Sequence, residues 1–143
     1  SDVCSSDLQY AMLQSVQKKF ESSLFDITQL LQADIFDSDL EAAQELLKKW
    51  FLRPAWVVAG VVLEKHLWQV CNSHNIKINK KNPTISDLNL LLKDVVLDTP
   101  QWRFVDRLGD LRNLCSHNKG REPKKEEVQD LIDWVDKAIK TIF

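Results

Sequence analysis

Residues 55–75 read AWVVAGVVLEKHLWQVCNSHN. The first half is apolar on every side, as expected of a central helix enclosed by its neighbours. Gly60 lies in it, where the missing side chain lets another helix come close. Arg53-Pro54 stands just before, and Pro54 suits a first helical turn, where its missing N–H costs nothing. Behind the stretch, residues 76–84 (IKINKKNPT) carry turn residues and three lysines.

The rest of the chain supplies helices to cover that core. Leu13, Val16, Phe20, Leu24, Ile27 and Leu31 recur at steps of three and four, predicting an amphipathic helix over about 10–33. Asp37 and Ser38 follow, and Glu41 stands three residues after Ser38, the spacing of a capping box. The next helix is therefore expected over about 39–52, burying Leu40, Ala43, Leu47 and Trp50 or Phe51. Ser86 is expected to cap a short helix bearing Leu88, Leu91, Leu92 and Val95. Asp98-Thr99-Pro100 opens a fifth helix over about 100–117, which Gly120 ends. Pro123 introduces the last, with the stripe Val128, Leu131, Ile132, Val135, Ile139 and Ile142. No segment alternates at period two. The expected fold is all-α, a bundle of about five to six helices, mostly antiparallel because the loops are short.

The chain has 143 residues, 44% hydrophobic and 28% charged, the size and balance of one globular domain. Three glycines and four prolines are too few for a sandwich or barrel, and no phosphate-cradling glycine motif is present. No stretch reaches the roughly 18 apolar residues that span a membrane. Three scattered cysteines, Cys4, Cys71 and Cys115, make no disulfide framework, so a reduced, cytoplasmic chain without cofactor or metal is expected. Residues 1–8, SDVCSSDL, match the translation of a sequencing adapter. They are expected to be an artefact of a broken gene end, leaving 9–143 as a single domain and the C-terminal part of a longer protein.

Charge is segregated. Residues 9–52 carry 4 basic and 7 acidic side chains, residues 53–125 carry 13 and 7, and residues 126–143 carry 2 and 5. The positive middle holds Lys77, Lys80 and Lys81, then Lys119, Arg121, Lys124 and Lys125. Clustered cations attract a polyanion such as RNA through counterion release, although loop lysines are also commonly just solvated.

One segment has the residues for chemistry: Arg112-Asn113-Leu114-Cys115-Ser116-His117-Asn118. Histidine exchanges protons near pH 7, and arginine binds phosphate oxygens with a permanently charged fork. RNA supplies its own nucleophile, the 2′-hydroxyl, so a base or acid and an anion clamp suffice to cleave it. Arg112 and His117 are the candidate catalytic pair, with Asn113 orienting phosphate or imidazole. Five positions turn a regular helix by about 500°, which leaves the two side chains about 140° apart. They converge only if the helix loosens or a second subunit contributes. The alternative is a histidine on helix-end carbonyls and an arginine in a surface ion pair.

RNLCSH has the R-N-x-x-x-H form found in the HEPN superfamily, and AGVVLEKHLWQVCNSHNI resembles a helix seen in many bacterial members. A basic loop, the short helix ISDLNLLL, a helix from Gln101-Trp102 to RNLCSHN, and a closing amphipathic helix follow in the same order. The resemblance covers about residues 37–143. It implies an α-helical domain that commonly dimerises, bringing two Arg/His pairs into one cleft, and a metal-independent RNase of a toxin–antitoxin or other defence system. It also implies an antitoxin or a fused upstream domain as partner, while other members only bind RNA, nucleotide or protein. On that resemblance Arg112 and His117 are the active pair and Asn113 the accompanying polar residue; Glu64 and Ser116 are separate candidates for an accessory role.

Glu64 is read as a buried carboxylate that pairs with Arg112 or Arg107, or else assists the site. His66 stands two positions from Glu64 and faces another way, which disfavours a metal site. The five tryptophans, at 50, 56, 68, 102 and 134, are expected to pack in the core or a dimer interface rather than to stack on bases. An unrelated helical interaction domain with an accidental Arg/His match is the third reading.

Overall fold

The structure is a computed structural model describing residues 2–114 and 121–143, with side chains from residue 6 onward. Among the described residues there are five helices and no strand: α1 (Asp2–Lys48), α2 (Leu52–Ser73), α3 (Ile85–Leu92), α4 (Thr99–Asn113) and α5 (Lys125–Thr141). The fold is an all-α helical bundle. The chain divides into two compact units, Ser1–Ile35 and Phe36–Phe143.

The expected break at Asp37-Ser38 does not occur, because α1 continues through it. No glycine or proline interrupts residues 34–41. Phe36 and Leu40, one turn apart, are both buried, and a continuing helix keeps them on one face. Ser38 and Glu41 have capping-box spacing without a helix start to serve.

α1 and α2 end in the same device. Phe51 N–H bonds the Leu46 carbonyl (2.9 Å) and Trp50 N–H that of Leu47 (3.0 Å); Ile76 and Asn75 repeat the pattern on Cys71 (2.9 Å) and Asn72 (3.1 Å). These are Schellman endings, which place a left-handed residue just past the helix. Asn75 fills that place at φ 56° and Trp50, less usually, at φ 63°. Neither Trp50 nor Phe51 meets the expectation of burial: both are exposed, because α1 ends before them.

The start of α3 differs from the expectation. Thr84, not Ser86, is the cap: its hydroxyl accepts from Asp87 N–H (3.2 Å), and the Asp87 carboxylate accepts from Thr84 N–H (2.9 Å). The Thr84 backbone N–H, then Lys80 and the Thr84 hydroxyl, hold the Asp87 carboxyl below the usual carboxylate range. Asp98 and Gln101 form a second such box at α4, where the sequence places a helix start.

In the second unit, α5 buries its whole stripe, Val128, Leu131, Ile132, Val135, Ile139 and Ile142. It packs along α2, which also meets α3, while α4 closes against α3 and α5. α2 is central but not enclosed, since Val57, Val61 and Trp68 remain 55%, 36% and 37% exposed. Its neighbours cover only one side, so apolar residues all round did not mean cover all round. In the first unit, Leu13, Val16, Phe20, Leu24, Ile27 and Leu31 are all exposed.

Candidate functional site

α2 presents Trp56, Gly60 and Glu64 at intervals of four, one above the other on a single face. All three meet Arg112 in the last turn of α4. The Trp56 indole N–H donates to the Arg112 carbonyl at 3.0 Å. Carbonyls in a last turn lack an intrahelical donor, so this bond satisfies one that the helix leaves over. At Gly60, a Cβ would stand 3.1 Å from both Cγ and Nε of Arg112, so the glycine makes the space in which that side chain lies. Glu64 Oε1 is 3.0 Å from the guanidinium Nη2. Arg112 and Glu64 side chains are each 32% exposed.

The arrangement fixes both ends of one arginine, main chain by Trp56 and guanidinium by Glu64. Position at the C-terminus of α4 also favours its positive charge. Such a group is an arginine anchored at the surface, its charge balanced by Glu64. Asn113, the last residue of α4, is exposed. Ser116, His117 and Lys119 lie outside the described residues, as do Cys115 and Gly120.

Among the described residues, the other candidate cations do not converge on one patch. Lys125 lies over the Trp50 ring, 4.4 Å from its centre, next to the start of α2. Arg121 grips Glu127 with two bonds of 2.8 and 2.9 Å. Lys124 is exposed. Lys77 follows Ile76, which is tied to the far end of α2 through Cys71. That helix has 22 residues and so is about 33 Å long. Lys80 is bound to Asp87 at 3.1 Å, and Lys77 and Lys81 are exposed. Arg121 and Lys80 therefore each balance a carboxylate of this chain.

Trp56 is the residue of the candidate site whose place there sequence reading missed. Its signal was the interval of four from Trp56 to Gly60 to Glu64, but a sequence does not show which helix faces that row. Of the tryptophans, Trp56 is buried, Trp102 half-buried, and Trp50, Trp68 and Trp134 exposed. His66 is buried with Nε2 lacking a hydrogen-bond partner. Desolvation pushes its pKa below 6.5, against the opposing pull of the Ile142 and Ala138 backbone. Burial pushes the Cys71 thiol up. Among the described residues, no three of His, Cys, Asp or Glu are grouped to hold a metal ion, and no helix is long and apolar enough to cross a membrane.

No protein-family model, curated protein or solved structure matches this chain.

Proposed function

We propose that the chain is a HEPN-like, metal-independent endoribonuclease of a cytoplasmic defence or toxin–antitoxin system. The observation that supports this reading is the seating of Arg112: a surface guanidinium anchored by Glu64 and Gly60, five positions before His117. In this reading His117 takes the proton from the RNA 2′-hydroxyl, whose oxygen attacks the adjacent phosphorus. Arg112 stabilises the charge that gathers on the phosphoryl oxygens. The bond to the 5′-oxygen breaks, that oxygen takes up a proton, and a 2′,3′-cyclic phosphate remains. Asn113 orients the phosphate.

The reading includes a homodimer with two such sites in one cleft. Val57, Val61 and Trp68, all exposed, frame Glu64 at steps of four, three and four along α2. An apolar ridge carrying the partner of Arg112 suits an interface that draws the sites together. This reading admits an antitoxin or a fused upstream domain as a further partner.

A second reading, binding of RNA, nucleotide or protein without cleavage, is favoured by the same ion pair, since Glu64 already neutralises Arg112. Single-stranded RNA incubated with the protein in EDTA separates the two. Cleavage that is lost in His117→Ala and on 2′-deoxy substrates supports the nuclease. Salt-sensitive RNA binding without cleavage moves the protein to the second reading, and no RNA binding removes both RNA-directed readings.

A further inference from the structure

Among the described residues, three that are not glycine hold a left-handed backbone: Trp50, Asn75 and Asp94. Asparagine and aspartate tolerate that conformation, whereas a bulky side chain there is an outlier. Glycine is the residue that a Schellman ending favours at this place. Burial does not compensate Trp50 for its φ of 63°, since the residue is 66% exposed. Strain that packing does not demand collects where a chain meets its ligands.

A cation lies against the indole. Lys125, the first residue of α5, has its Nζ 4.4 Å from the ring centre, within cation–π range. A second tie joins the same two helix starts: Arg53, in the first turn of α2, pairs with Glu122 at 3.0 Å, just before α5. The charge flanking the ring is positive. Lys48 is paired with Glu45 and Arg53 with Glu122, which leaves Lys49, Lys124 and Lys125 against Glu126.

The ring stands at the Arg112 end of α2. The Phe51 carbonyl accepts from Ala55 N–H at 3.1 Å, so the helical path begins at Phe51 and leads to Trp56, whose indole holds the Arg112 carbonyl. Those five residues rise about 7.5 Å. A strand with a phosphate at Arg112 therefore reaches Trp50 within a few nucleotides.

An occupant has to suit both the ring and the ammonium. A nucleotide does: its base offers a flat π-face to the indole and its phosphate an anion to Lys125. An apolar protein surface would cover the ring only by burying Lys125 without an anion, which is costly. Resting on the RNA-directed reading above, we infer that the exposed Trp50 indole, with Lys125 at its face, seats a base of the single-stranded RNA whose phosphate meets Arg112. Any base serves, because each has a π-face.

Anisotropy titrations of the full chain test this, with a labelled single-stranded RNA at one salt concentration and 2′-O-methyl sugars to block cleavage. A second strand of the same length keeps sugars and phosphates and lacks every base. Trp50→Gly installs the residue that the turn favours, so folding is not at risk. It should weaken binding of the first strand roughly 5–150-fold, the scale of one stacked base, and Trp50→Phe should recover most of that loss. Wild type and Trp50→Gly should bind the baseless strand alike. Equal affinity of the two proteins for the first strand overturns the inference, and a dimer lost in Trp50→Gly would then assign the ring to contact between copies. Equal weakening on both strands also overturns it, because the ring then acts through the fold or the backbone rather than on a base. A wild type that binds no RNA removes the RNA-directed reading and this seat together, whereas the other outcomes leave that reading in place.

Discussion

α5 and the first part of α1 carry the same kind of apolar stripe, with opposite fates. Val128, Leu131, Ile132, Val135 and Ile139 are buried, while Leu13, Val16, Phe20, Leu24, Ile27 and Leu31 are exposed. Period alone makes both amphipathic helices. What separates them is the company each keeps: α5 lies along α2 and α4, whereas the α1 stripe belongs to the separate unit Ser1–Ile35. A stripe in a sequence therefore announces a face and leaves its partner open.

The largest expected contrast between the two regions is in chemistry. His117→Ala should lower RNA cleavage by roughly 10²–10⁴-fold and Arg112→Ala by on the order of 10²–10³-fold. Leu24→Ala, on the α1 stripe, should leave the rate per site unchanged. Initial rates on single-stranded RNA check this, and loss of cleavage in Leu24→Ala would tie that stripe to the active site.

Stability gives the next contrast. Leu131→Ala removes a fully buried side chain from α5 and should cost about 2–5 kcal/mol. Leu31→Ala is the same truncation on an exposed position and should cost the second unit less than about 0.5 kcal/mol. Urea melts of both variants, followed by near-ultraviolet signals of the tryptophans at 50–134, measure the difference. Equal losses would erase the distinction between the two stripes.

Mild acid gives a further contrast through His66, which lies in the second unit. The folded-state pKa of His66 is below 6.5, so the unfolded chain takes the proton first. His66 contributes fully above pH 6.5, and stability falls as pH drops through that value toward the folded-state pKa. The slope is at most about 1.4 kcal/mol per pH unit. Melts between pH 7.5 and pH 5, on the order of the range where histidine titrates, should show it. His66→Phe should remove this part of the slope, and an unchanged slope would assign it elsewhere. The smallest effect is expected from deleting residues 1–8, within about 0.5 kcal/mol by denaturant melt.

What could be read from the sequence follows from which interactions are local. The α5 stripe and the start of α4 at Asp98-Thr99-Pro100 depend on residues a turn apart, and both stand in the structure as read. Ser38 and Glu41 have the spacing of a start yet lie mid-helix, because a capping pattern competes with the burial of Phe36 and Leu40 and loses. Ser86 was displaced by Thr84 two residues earlier, a matter of which hydroxyl has a carboxylate three positions on. At the candidate site, the ion pair of Glu64 with Arg112 rather than Arg107, and the Trp56 bond, depend on the register of α2 against α4. No local pattern fixes that register. Lysines 77–81 and 124–125 look like one basic region along the chain, while Lys77 follows Ile76 at one end of α2 and Lys125 lies over Trp50 at the other.

The bond from Trp56 to Arg112 has a consequence in time as well as in space. The indole proton sits on a residue only 3% exposed and is held by a carbonyl one residue from the end of α4. It can exchange with deuterated solvent only when that end of α4 parts from α2. Its exchange lifetime is thus a clock built into the molecule, reading how often the seat of Arg112 comes undone.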